Sequence, residues 1–242
     1  MDHQKQKETA LCEELIGRIQ SVLDNRSREW QSYLPTARAI IVLINGLPSP
    51  LEILGVDLYM EALTTIQRLV YQDADNGAEM DVVLWCERHW TILLERSPDN
   101  YKALRGHGHA WLLRSQETLA RIYRDQRSSS DETSLPSART NSMNDSLVSS
   151  HDYVQARDLL RPSLESFDRA IEVADSNSEL TGELLALGAE AYINFGNVSS
   201  PRTNDNYYQK AIHYLQSANV IEGFSLDDHL KQFLDDNSRY LD

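Results

Sequence analysis

The sequence predicts an all-α fold in which antiparallel helix hairpins stack one on the next. Three observations point there. Apolar residues recur at three- and four-residue spacing through most of the 242 positions. Glycine and proline are few, 10 and 7, and fall mainly between those stripes. Only the run Ala39 to Asn45 has strand character, and no second strand signal lies nearby to pair with it. At 41% hydrophobic residues the composition is that of a globular chain, and stacked hairpins can run through this length without a domain boundary.

Taken in order, Leu11, Leu15, Ile19 and Leu23 mark an amphipathic first helix ending near Asp24. Ala39 to Asn45 reads as a short buried helix, and residues 1–48 form an N-terminal helical segment. Ser49, Pro50 and Glu52 make a helix start, with Ser as cap and Glu completing a capping box. Leu51, Leu54, Leu58, Ile66 and Leu69 then line one face to about Tyr71. Asn76-Gly77 breaks the chain before a helix striped by Met80, Val83, Leu84, Trp90, Leu93 and Leu94. The next helix runs from about Tyr101 to Gln126. Residues 127–150 are Ser-rich with hardly any large apolar group, too little to offset ordering entropy, and predict a disordered insertion. Leu160, Leu164, Phe167 and Ile171 restore a helix that Pro162 either kinks or starts. Ser176 with Glu179 offers a second capping box before Leu184, Leu187 and Ala191; Tyr208, Ala211, Leu215 and Ala218 follow, and Ser225 to Asp228 open a short last helix. Helical structure is thus expected over 50–126 and 151–242.

The net charge of −14 makes the surface repel phosphate backbones and anionic lipid, so direct nucleic-acid binding is disfavoured. No apolar run approaches the roughly 20 residues that span a bilayer, so no membrane insertion is expected. The two cysteines, Cys12 and Cys86, sit in apolar helical patterns and read as buried thiols of a reducing compartment. With a polar N-terminus in place of a signal peptide, the expected address is cytoplasmic, nuclear or both.

The spacing of small and large residues resembles the tetratricopeptide repeat, a 34-residue helix-turn-helix. Small residues let the two helices of a repeat approach, and large ones fill the groove between repeats. Cys86, Trp90, Leu93 and Pro98 follow the family's second helix and closing turn, the Leu being oversized. Without adjustment, Leu104, Gly108 and Trp111 then supply the large, small, large order of the next first helix. Ser163, Phe167 and Ala170 match its second helix, displaced by the Ser-rich insertion. Leu184, Gly188 and Ala191 with Ala211, Leu215 and Ala218 form a further unit. The resemblance covers about residues 50–223, implying a TPR-like α-solenoid of about three degenerate repeats with N-terminal helices and a C-terminal capping helix.

Such a scaffold implies a non-catalytic adaptor or complex subunit whose concave surface holds a peptide or helix of another protein, with self-association through exposed apolar ends as a further expectation. Lys102, Arg105 and His109, together with His107, are the polar group expected to contact a partner's acidic segment, while the acidic surface favours partners with a basic face. The family's carboxylate clamp uses Lys and Asn on successive first helices. Here His109 stands where Asn would be, and the following unit offers Leu185 and Ala189. His107 and His109 are two apart on a helix, pointing about 200° from each other, so no metal site is expected. No phosphate-cradling Gly loop, nucleophile elbow or Cys/His pairing is present, so neither catalytic residues nor cofactors are expected. Two alternatives stay open: an all-helical enzyme or enzyme accessory subunit, and a nuclear regulatory subunit. Within the insertion, Ser128 and Ser129 precede acids by three residues and Arg139 precedes Ser142 by three, patterns that suit phosphorylation.

Overall fold

The computed structural model describes residues 2–25, 29–130 and 147–237. Among them are ten α-helices, packed in adjacent pairs, and no strand. They divide into two compact units, Met1–Arg96 and Ser97–Asp242.

The first unit comprises α1 (Asp2–Asp24), α2 (Leu34–Gly46), α3 (Pro50–Leu54), α4 (Val56–Val70) and α5 (Met80–Arg96). Helix α1 packs on α2, α3 and α4, and α4 packs on α5. The buried face of α1 is Cys12, Ile16, Ile19, Val22 and Leu23, whereas Leu11 is exposed. A strict four-residue spacing drifts by about 40° per step on a helix of 3.6 residues per turn, so the predicted stripe leaves the face at its N-terminal end. The β-branched run is helical, lying within α2, but it is not buried throughout: Ala37, Ile40 and Ile44 face the core while Val42 is 70% exposed.

The helix predicted from Ser49 to about Tyr71 is two helices. Gly55, at φ +79°, ends α3 and starts α4 in a conformation that a side chain would strain. Ser49 makes no side-chain cap; its carbonyl instead accepts from the Glu52 and Ile53 amides. In α5 the inward residues are Val82, Val83, Cys86, His89, Trp90 and Leu93, and the predicted stripe members Met80 and Leu84 are exposed.

The second unit comprises α6 (Tyr101–Ser130), α7 (His151–Ser176), α8 (Gly182–Asn197), α9 (Asn204–Asn219) and α10 (Asp228–Asp236). Helix α6 lies along α7 and α8 along α9; α6 and α7 both meet α8, and α10 meets α9. Asn100 caps α6, its Oδ1 accepting from the Ala103 amide at 3.1 Å. The helix runs past Gln126 to Ser130 and residues 147–150 lead into α7, so both ends of the predicted insertion are ordered here, while its remainder, residues 131–146, lies outside the described residues. Pro162 lies inside α7 and does not start it.

The predicted Ser176–Glu179 capping box does not form. Ser176 lies within α7, its Oγ donating to the Glu172 carbonyl at 2.8 Å, and Thr181 caps α8 by accepting from the Leu184 amide at 3.3 Å. What precedes it is a helix stop: Ser178 has φ +59°, and the Ser178 and Glu179 amides donate back to the Asp175 and Ala174 carbonyls at 3.0 and 2.8 Å. That pair of bonds is a Schellman motif with Ser where Gly is usual. Leu226 and Leu230 bring α10 onto a cluster of Leu185, Ala189, Ala211, Tyr214, Leu215 and Ala218.

Candidate partner-binding face

Residues 102, 105 and 109 are spaced by three and four, so α6 carries Lys102, Arg105 and His109 along one face. Lys102 is exposed, its ammonium 6.0 Å from the Tyr101 ring centroid. Arg105 is half-buried and already engaged, its Nη1 donating to Glu183 Oε2 on α8 at 3.0 Å. His109 is half-buried. The face does not continue as a basic surface, because Leu185 and Ala189, the corresponding residues of α8, are buried under α10.

His107 turns away from this group toward α7. The Trp111 indole donates to its Nε2 at 3.0 Å, which requires the ring proton to sit on Nδ1, and Nδ1–H then donates to Ser166 Oγ at 2.8 Å. Burial lowers the His107 pKa and keeps the imidazole neutral. Arg114 completes the chain, its guanidinium carbon 5.1 Å from the Trp111 ring. His107 therefore belongs to the α6–α7 contact. Among the described residues no three His, Cys, Asp or Glu are grouped to hold a metal ion.

The residues expected to pack helix against helix lie as follows. Leu104, Phe167, Ala170, Ala211, Leu215 and Ala218 are buried. A Cβ on Gly108 would stand 3.2 Å from Ser166 Cβ and 3.3 Å from the Phe167 ring, and Ser163 Oγ donates to the Gly108 carbonyl at 2.8 Å. A Cβ on Gly188 would meet Ile171 at 3.0 Å and Tyr214 at 3.3 Å. Trp90 is buried in the first unit with its indole donating to Gln67 at 2.9 Å. Trp111 is half-buried and Pro98 is exposed in the turn before α6. Ser128 and Ser129 lie in the last turn of α6, and Ser142 lies outside the described residues.

Two polar clusters had no sequence signal. Asp168 on α7 accepts from the hydroxyls of Tyr192 on α8 and Tyr214 on α9, both at 2.6 Å. Burial, followed by the Asp168 bond and charge, pushes both phenol pKa values up. In the first unit, His89 is hydrogen-bonded through Nδ1 to the Tyr59 hydroxyl and stacks on Trp85 with centroids 4.0 Å apart. Desolvation, aided by the Arg88 charge, lowers its pKa to about 4. Apolar periodicity cannot reveal such clusters, since their partners are 24, 46 and 30 residues apart.

No helix among the described residues is long and apolar enough to cross a membrane. The chain matches no family model, no curated protein and no solved structure.

Proposed function

We propose that this chain is a non-catalytic adaptor or complex subunit, that its second unit is a short TPR-like α-solenoid, and that the α6 face of Lys102, Arg105 and His109 engages a partner peptide or helix bearing acidic residues. The observation that carries this reading is the recurrence of one contact in consecutive helix pairs. Gly108 on α6 admits Phe167 of α7, and Gly188 on α8 admits Tyr214 of α9. In each pair a missing side chain lets the helices approach, which is the packing logic of this repeat family. The short α10, with Asp228, His229, Lys231 and Gln232 exposed, suits the polar capping helix that closes such a stack.

Against an enzymatic role stand the two histidines with lowered pKa values. His107 spends both ring nitrogens on Ser166 and Trp111, and His89 is bonded to Tyr59 and covered by Trp85. Both are built into packing.

The test is affinity purification of the tagged chain from its native cell, comparing wild type with Lys102→Glu/Arg105→Glu, followed by direct titration of the recovered partner. Circular dichroism checks that the variant keeps its helices, because Arg105→Glu also sets a carboxylate against Glu183. A stoichiometric partner whose affinity falls at least about tenfold in the variant supports the reading. Equal retention by both forms, or a stable monomer that recovers no partner, discards it.

A further inference from the structure

Where α6 and α8 of the second unit meet, they carry opposite charges. Arg105 of α6 meets Glu183 of α8 at 3.0 Å, and this ion pair is the border between them. On the α6 side Lys102 is exposed and makes no ion pair among the described residues. On α8, residues 183, 187 and 190 are four and three apart and share one side, so Leu187 and Glu190, both half-buried, continue the surface beyond the border. Seven residues of helix put Glu190 about 10 Å along from Glu183.

Glu190 is the group this surface leaves unmatched. Its carboxylate makes no hydrogen bond or ion pair among the described residues, although packing strips much of its water. That desolvation raises its pKa; His229 of α10 offsets the effect in part, and Asp227 adds to it. Asp227 precedes α10 as its N-cap residue, yet its side chain caps no amide, is exposed, and is likewise unpaired among the described residues. Leu230, three residues on, packs in the cluster with Leu185 and Ala189, which sets Asp227 against the part of α8 that carries Glu190. Two facing carboxylates with no donor between them repel, and a cation placed there relieves both. No metal-holding group exists among the described residues, so the cation that fits is an ammonium or, better matched to two carboxylates, a guanidinium.

With the α6 face taken as the partner site, we infer that the partner segment carries both signs: an acidic residue for Lys102 and Arg105 and, about 10 Å along, an arginine or lysine that enters between Glu190 and Asp227. That separation is about two turns of a bound helix or three residues of an extended peptide. A wholly acidic segment would satisfy Lys102 and Arg105 but meet Glu190 and Asp227 with like charge. The same division of charge fixes which way the segment lies.

A display library of random peptides, selected on the full chain and followed by titration of single peptides, tests this. Wild type enriches peptides with an acid and an Arg or Lys at that separation, whereas Glu190→Gln/Asp227→Asn enriches acidic peptides with no basic residue in common. Replacing the basic residue of the tightest wild-type binder by Ala weakens it at least about tenfold, and the loss disappears in Glu190→Gln/Asp227→Asn. Stability gives a readout independent of binding. A carboxylate with no internal partner contributes nothing to the fold, so Glu190→Gln melts at or above the wild-type temperature. Wild-type selection of acidic peptides without a shared basic residue overturns the inference and leaves the α6 reading standing, as does a Glu190→Gln variant that melts lower. No enrichment on wild type, or enriched peptides whose affinity is unchanged by Lys102→Glu/Arg105→Glu, overturns the α6 reading and this inference with it.

Discussion

Acidification from about pH 6.8 to about pH 5.2 should cost the first unit about 1.5 kcal/mol, and His89 is the reason. Its side chain is nearly buried at 9% exposure, its Nδ1 is committed to Tyr59 and its ring is stacked on Trp85, so the neutral form is the one that fits. The folded pKa is about 4 against 6.5 for the free side chain. In this window the unfolded chain takes up a proton that the folded chain refuses, so stability rises with pH. The contribution is complete above pH 6.5 and is lost progressively down to pH 4, where it totals about 3 kcal/mol at 1.36 kcal/mol per pKa unit. About half falls between pH 6.8 and 5.2, above the range where ordinary carboxylates titrate. The assay is urea unfolding of wild type and His89→Phe across that window, followed by circular dichroism. His107, in the second unit, is lowered by burial and acts in the same direction, so the His89 share is the difference in slope between the two proteins. His89→Phe should be less stable at neutral pH, because Tyr59 loses its partner, yet less sensitive to acid. A wild type whose stability is flat over the window, or a variant with the wild-type slope, refutes the reasoning.

Ser178→Gly should stabilise the second unit by about 0.5–1 kcal/mol in thermal or urea unfolding, because φ +59° strains a side chain and not a glycine. Gly17→Ala should stabilise the first unit by about 0.5–1 kcal/mol through helix propensity, since a Cβ there meets nothing within 4 Å. Gly108→Val should destabilise by about 1–3 kcal/mol in the same measurement, as its Cβ alone already lies 3.2 Å from Ser166 Cβ. Asp168→Ala should cost about 2–3 kcal/mol by stranding two phenols, whereas Tyr192→Phe removes a single bond and should cost about 1 kcal/mol.

How much of this was legible in the sequence depends on the range of the interaction responsible. Helix type and rough extent came from apolar periodicity, which is local; the order Leu104, Gly108, Trp111 is local too, whereas what a Cβ on Gly108 would meet, Ser166 and Phe167, is set by tertiary packing. Errors arose where two local signals competed. Ser176-x-x-Glu179 and Thr181 both offer a cap, and the helix stop at Ser178 leaves only Thr181 placed to start α8. Gly55 falls within an apolar stripe that continues on either side, so the pattern conceals the break. The candidate face was legible as a spacing of basic residues but not in its electrostatics. That Arg105 is matched by Glu183, 78 residues on, and that His107 faces Ser166 are facts of tertiary packing.

Arg157, on α7, reaches two backbone carbonyls at once, Val148 at 2.8 Å and Val198 at 2.5 Å. One is where the chain re-enters the helices after the Ser-rich stretch, and the other is the C-terminal cap of α8. This guanidinium is a mooring post, to which the returning chain is tied before the first turn of α7. One side chain thereby sets the entry to α7 against the end of α8, fixing together two points of the chain that lie on either side of the whole helix.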